Sequence, residues 1–181
     1  MANKEALKAL QERLAQRLQD ARQQAPVRSW LAVDIAGHGF LLPLDQAGEI
    51  FAPGALQAVP HSQPWFLGVA NLRGQLHGVV DLASFLGMAR AEAAGTPVPE
   101  GARDASRLVA FSGALQLNVA LWVDRLLGLR NASALQLVPE PAGQPKPGFM
   151  GQCMRDEQGR NWYELNLAAL SADESFLKID A

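Results

Sequence analysis

The chain has 181 residues, 49% hydrophobic and 19% charged, with a formal net charge of -2 at pH 7. That length suffices to take roughly 70% of the unfolded surface out of water in one domain or two small subdomains sharing a core, and the charge balance argues against a nucleic-acid binder built on a basic stripe. Apolar runs fall far short of the roughly 20 residues that cross a bilayer, the N-terminus lacks a signal peptide's apolar core, and the single cysteine, Cys153, excludes an internal disulfide, which together point to a cytoplasmic protein without membrane insertion.

The first element in chain order is a helix. Leu7, Leu10, Leu14 and Leu18 recur at spacings of three and four between charged and amide residues, predicting an amphipathic helix over residues 3–22 that Pro26 ends. A surface helix laid against the domain and a partner-binding or self-associating helix both fit this stripe, which covers too few heptads to argue for a coiled coil. From Trp30 the pattern changes to strands. Trp30 to Ile35 and Phe40 to Leu44 flank Gly37-His38-Gly39, whose glycines predict a hairpin turn. Ala47 to Phe51 reads as a third strand, and Gly68 to Leu72 and Gln75 to Val80 as a fourth and fifth. Val69, Leu72, Leu76, Val79 and Val80 suit buried faces of those strands, Gly74 supplies a positive φ between them, and Asp81 is placed to cap a short helix running to Gly87.

Residues 89–105 carry Gly95, Pro97, Pro99 and Gly101 among alanines and charges and read as an exposed connector. Beyond it the first pattern partly returns. Leu108 to Phe111 and Leu115 to Val123 resemble the opening hairpin, Asp124 to Leu129 takes the place of the third strand, and strands follow near Phe149 to Met154 and Asn161 to Leu165. Asp81-Leu82-Ala83-Ser84-Phe85-Leu86 is echoed by Asn166-Leu167-Ala168-Ala169-Leu170, a capping side chain between a strand and a short apolar helix in each case. The repeat predicts duplicated barrel subdomains with roughly ten strands in all, their edges protected by closure or mutual packing.

Little in the chain concentrates chemistry. His38, His61 and His77 have no compact set of co-ligands and do not form HExxH, and Cys153 has no cysteine neighbour. Neither a dinucleotide fingerprint nor a phosphate loop is present. No nucleophile stands beside a base with groups to stabilise developing charge, so no catalytic residue and no cofactor is expected. Trp30, Trp65, Trp122 and Trp162 could stack bases, but their apolar neighbours favour core packing. Arg73, in Asn71-Leu72-Arg73-Gly74, carries more weight: its guanidinium suits either a structural ion pair with a carboxylate or direct contact with a partner, or both.

Gly68-Val69-Ala70-Asn71-Leu72-Arg73-Gly74 followed by Val79-Val80-Asp81-Leu82 resembles the GxxNLRGxxxxVxDL pattern of the CheW-like adaptor family, Ala47-Gly48-Glu49-Ile50 matches its earlier strand, and Val123-Asp124 matches the corresponding turn of the second half. The resemblance covers residues 28–171. It implies an all-β fold of two intertwined five-stranded SH3-like β-barrel subdomains with short helices, preceded here by the N-terminal helix and linker of residues 1–27 and followed by a C-terminal tail, 172–181. It implies a non-catalytic adaptor whose partners are the regulatory domain of a CheA-type histidine kinase and the cytoplasmic signalling tip of a chemoreceptor. Carried over by position, Ala47, Glu49, Gly68 and Arg73 become interaction or coupling candidates, and Asn71, Leu72, Gly74, Asp81 and Asp124 structural motif residues. The chain departs from common members in its longer N-terminal helix, in Gly78 where proline is frequent and in Ala83 where arginine is frequent, and the whole looks closer to PilI-type adaptors of type IV pilus signalling and twitching motility. A small barrel binding an unrelated peptide or nucleic acid is the alternative.

Overall fold

A computed structural model describes residues 13, 28–88, 105–139 and 146–181. All but residue 13 of the helix expected over residues 3–22, and all but residue 105 of the connector at 89–105, lie outside the described residues.

Strands β1 (Ser29–Ile35) and β2 (His38–Pro43) are joined by two residues, Ala36 and Gly37, with φ of 51° and 82°. Left-handed geometry at both positions matches the right-handed twist of a two-stranded ribbon. Two carboxylates hold the turn: Asp34 Oδ1 accepts from the Gly37 N–H at 3.0 Å, and Asp124 Oδ2 from the Ala36 N–H at 2.6 Å. The turn thus lies one residue earlier than Gly37-His38-Gly39 suggested. His38 and Gly39 begin β2, and Gly39 answers a packing need, since a Cβ there would sit 2.7 Å from the Trp162 ring.

The first half continues with β3 (Ala47–Phe51), β4 (Phe66–Leu72), β5 (Gln75–Asp81) and the short helix α1 (Leu82–Phe85). The second half runs β6 (Arg107–Phe111), β7 (Val119–Val123), β8 (Arg125–Asn131), β9 (Leu135–Leu137), β10 (Met150–Asp156), β11 (Asn161–Leu165) and α2 (Leu167–Ser171), and α3 (Glu174–Leu177) follows. Leu115 does not start a strand as expected. Gly113–Leu115 is a single tight turn of helix and β7 opens only at Val119.

The described strands form a six-stranded sheet, β8-β1-β2-β11-β10-β9, and a five-stranded sheet, β3-β6-β7-β5-β4. Each sheet takes its central hairpin from one half of the chain and its flanks from the other. The two are the same arrangement repeated. In one, β11 runs parallel to β2 with Glu164 beside Leu41; in the other, β5 runs parallel to β7 with Val79 beside Ala120. Each of these strands ends on a helix cap, Asn166 and Asp81. The correspondence reaches single hydrogen bonds: the Gln57 N–H donates to the Val69 carbonyl at 2.9 Å, and the Val138 N–H donates to the Cys153 carbonyl at 2.9 Å in the matching place. β9 is therefore a lengthened form of the lone bridge at Gln57, which is why one sheet has six strands where five were expected. Both hydrogen-bonded orders are open at their ends, so neither sheet is a closed barrel, and the five-stranded sheet curls far enough to bring the β4–β5 tip to β3, where Arg73 meets Glu49.

Side chains along the central strands alternate between two cores. Leu31, Val33 and Ile35 of β1 meet Val109 and Phe111 of β6 and Leu121 and Val123 of β7 between the sheets. The opposite faces bury Ala70, Leu72, Val79, Leu108 and Ala120 under one sheet, and Trp30, Leu41, Met154 and Trp162 under the other. Strands covered on both faces read as unbroken apolar runs rather than alternating ones, and each fully buried large side chain contributes about 1.5–3 kcal/mol.

The helices tie the halves together. Asp81 Oδ1 accepts from the Ala83 and Ser84 N–H groups at 3.1 and 3.4 Å, and Asn166 Oδ1 accepts from Ala169 at 3.0 Å. Gln46, from the first half, adds a second cap to α2 by accepting from Leu167 at 2.8 Å and Ala168 at 3.2 Å. Residues 172–181 carry α3, whose Phe176 is buried in the central core between the parallel rings of Trp65 and Phe111, each 6.0 Å away. Beyond it the Gln63 N–H donates to the Ile179 carbonyl at 2.7 Å, and the Ala181 N–H to His61 at 3.0 Å.

Candidate functional site

The NLRG segment forms the tip of the β4–β5 hairpin. Arg73 and Gly74 occupy the turn with φ of 49° and 85°, and Asn71 Oδ1 accepts from the Gly74 N–H at 2.8 Å. This is the same device that Asp34 supplies to Gly37, an Asx side chain accepting from a glycine three residues on. Leu72 between them is buried and anchors the turn in the core. From this tip Arg73 reaches across the open end of the curled sheet to Glu49 on β3, with Nη1 2.5 Å from Oε1, while its guanidinium lies 5.9 Å from the centre of the Phe51 ring. The two side chains are 76% and 43% exposed. Such a pair contributes at most about 1 kcal/mol to stability, and it leaves a charged, solvent-facing feature at the rim.

Of the four interaction candidates, Arg73 and Glu49 come together and the other two lie beneath or beside them. Gly68 is buried with φ of +126°, and a Cβ there would fall 2.3 Å from the Gln57 carbonyl oxygen. It permits the close approach that curls the sheet. Ala47 is half-buried at the start of β3, paired with Phe111. Leu76 corrects an expectation: it is 63% exposed, because β5 pairs with β7 only from Gly78 onward and the hairpin tip overhangs its neighbour. Ile50 of β3 is exposed as well, so apolar surface accompanies the charges at this end of the sheet.

Asp81 and Asp124 belong to the frame. Besides holding the Ala36 N–H, Asp124 donates its own N–H to the Asp34 carbonyl at 3.0 Å. Asp34 is buried, with Arg160 Nη2 at 2.8 Å and Arg125 Nη2 at 3.7 Å. Arg160 also lies 4.7 Å from the centre of the Trp162 ring, and the indole N–H donates to Asp156 Oδ2 at 2.9 Å. That bond, with backbone donors from Arg160 and Gln158, holds the Asp156 carboxyl below its ordinary 3.8 against a desolvation effect of opposite sign. The sequence reading passed over Asp34, although the shared pattern of Asp34-Ile35-Ala36-Gly37 and Asn71-Leu72-Arg73-Gly74 carried the signal. It also passed over Phe51, for which no local signal exists.

No group of three or more His, Cys, Asp or Glu side chains suited to a metal occurs among the described residues, and no helix there is long and apolar enough to cross a membrane. A cleft of about 480 Å³ opens beside α3 and is lined by Gln63, Trp65, Phe85, Phe149, Ser175 and Lys178 among others. The Ser175 hydroxyl donates to Asp173 in the α3 cap, so the one hydroxyl in that wall is already engaged.

A family model for the CheW-like domain matches residues 29–175. The chain belongs to the CheW-like domain family. As a CheW-like domain it is non-catalytic. Protein PilI of Pseudomonas aeruginosa is 36% identical to it over 67 residues, a match that spans 36% of this chain and 38% of that protein's length. The crystal structure of scaffolding protein TtCheW from Thermoanaerobacter tengcongensis superposes on the CheW-like domain with a TM-score of 0.62 at 16% identity, over 80% of this chain and 88% of that one, which is a likeness of fold.

Proposed function

We propose that this chain is a cytoplasmic adaptor that couples the signalling tip of a methyl-accepting-type receptor to the regulatory domain of a CheA-type histidine kinase, within a receptor array that controls type IV pilus twitching motility. Family membership and the partial likeness to Protein PilI support the reading. The observation that carries it is the exposed Arg73–Glu49 pair at the open end of the curled sheet, with Ile50 and Leu76 exposed at the same end. An apolar patch supplies contact area, and charges at its rim select the correct partner. Coupling requires that these contacts differ between active and inactive arrays, because equal affinity for both shifts neither population.

The test is a binding titration of the folded full chain against the kinase regulatory domain and, separately, the receptor tip. Wild type is expected to bind at least one of them saturably, and Arg73→Ala to bind it about tenfold more weakly, the loss typical of an interface hot spot. Absence of wild-type binding to either, across the micromolar range, overturns the adaptor reading.

A further inference from the structure

The Arg73–Glu49 pair does not stand alone. Beneath the guanidinium lies the Phe51 ring, half-buried at the edge of the curled sheet's inner core, and 6.5 Å behind Phe51 lies the ring of His77, itself buried with Nδ1 3.2 Å from the Gln75 carbonyl. The run from His77 through Phe51 to Arg73 and Glu49 passes from the interior to the surface. The matching place in the other sheet is built differently. There Arg130 and Trp162 occupy the register positions of Phe51 and His77, with the guanidinium 5.3 Å from the centre of the indole ring. Arg130 Nη1 turns back to the Leu127 and Leu129 carbonyls at 3.3 and 3.1 Å. Both sheets thus place a ring contact at this point. In the six-stranded sheet Arg130 is spent on its own strand and the second cation on that ring, Arg160, ends on the buried Asp34, whereas in the curled sheet the ring bears a cation that arrives from the opposite edge and ends in an exposed ion pair.

A left-handed arginine at a turn tip, with a long and mostly exposed side chain, has many rotamers open to it, and an exposed carboxylate alone does little to select one. A flat ring beneath the guanidinium restricts those states before a partner arrives, and ordering a side chain in advance lowers what binding must spend on it. We infer that Phe51, backed by His77, is a positioning residue that seats Arg73 against Glu49 and so preorganises the coupling surface. This rests on the adaptor reading for its effect on binding, but not for its effect on Arg73.

The experiment uses the full chain with Phe51→Leu, which keeps an apolar side chain of similar bulk, Phe51→Trp, which keeps a ring, and the double variant Phe51→Leu with Arg73→Ala. Proton NMR of the Arg73 Cδ methylene reads seating directly, through the upfield shift that a ring face imposes. The shift is expected in wild type and Phe51→Trp and lost in Phe51→Leu. Titration with the kinase regulatory domain or the receptor tip, whichever wild type binds, is expected to show Phe51→Leu weakened about two- to fivefold, the worth of an exposed cation–ring contact. Phe51→Trp is expected near wild type, and the double variant no weaker than Arg73→Ala alone. An unchanged Arg73 shift in folded Phe51→Leu, or losses that add in the double variant, overturns the inference. If wild type binds neither partner, the adaptor reading fails, and the Arg73 shift alone then decides whether Phe51 seats the arginine.

Discussion

Gly68 and Gly74 both lie at positive φ, yet they ask different things of the chain. Around Gly74 there is open space, so alanine there meets only the left-handed penalty of about 1–2 kcal/mol. At Gly68 a Cβ would also press on the Gln57 carbonyl at 2.3 Å, and relieving that overlap adds about 1–3 kcal/mol and loosens the bridge that curls the sheet. Urea unfolding should therefore rank Gly68→Ala well below Gly74→Ala; equal midpoints would mean that the β4 edge yields freely. The tip of this hairpin was legible in the sequence because Asn71-Leu72-Arg73-Gly74 is local chemistry, an Asx acceptor and a glycine at fixed spacing. Leu76 was not, since its exposure depends on where β7 begins to pair, a fact that strand periodicity does not contain. Phe51 was hidden for the same reason: its contact with Arg73 exists only once β3 and the β4–β5 tip are brought together from opposite edges of a sheet.

At the scale of elements, α3 shows how a few polar residues fix a short segment that no apolar periodicity announces. Asp173 caps it, accepting from the Ser175 hydroxyl and from the Ser175 and Phe176 N–H groups, and delivers Phe176 to the aromatic core. The serine hydroxyl, the largest influence, holds the Asp173 carboxyl below its ordinary 3.8 against the desolvation that raises it, and the backbone donors of Phe176 and Ser175 lower it further. A folded-state value below the unfolded one means that the carboxylate's contribution is complete above the ordinary value and is lost as pH falls through the lower, folded one. Asp173→Ala should cost about 1 kcal/mol at neutral pH, the worth of a cap. Asp173→Asn, which still caps, should keep most of that stability while flattening the acid side of the stability curve. Thermal melts at pH 7 and at steps down to pH 2.5 check both, and an acid limb unchanged in Asp173→Asn would assign that limb to other carboxylates. Read as sequence, Asp173-Glu174-Ser175-Phe176 offers one apolar residue in a polar stretch, too little to distinguish a core anchor from a tail. By contrast α1 and α2 were legible, because Asp81 and Asn166 each stand between an apolar strand and an apolar turn.

For the whole molecule, the repeat was visible in the sequence but the exchange between its halves was not, because an apolar run states that both faces of a strand are covered without saying which strands lie at its edges. In the fold β1 and β2 take β8 and β11 as neighbours, and β6 and β7 take β3 and β5, so every central strand owes one ladder of hydrogen bonds to the other half. Parted from each other, residues 28–96 would keep two separate hairpins, β1–β2 and β4–β5, and residues 97–181 the β6–β7 hairpin and the β9–β10–β11 ribbon, all with bare edges and core faces that only the other half covers, and small isolated ribbons of that kind are marginal in water. Neither fragment should fold alone. Mixed, they should recover the ladders on both sides at once and unfold in a single transition whose midpoint depends on protein concentration, as expected when folding and association are one event. Amide dispersion in NMR spectra of each fragment and of the mixture would decide the matter. A dispersed spectrum from 97–181 alone would show that one half carries a stable sheet of its own, and would remove the reason for a contact on the curled sheet to be felt in its six-stranded neighbour. With exchange required, strengthening either sheet strengthens both, since each contains the other's chain.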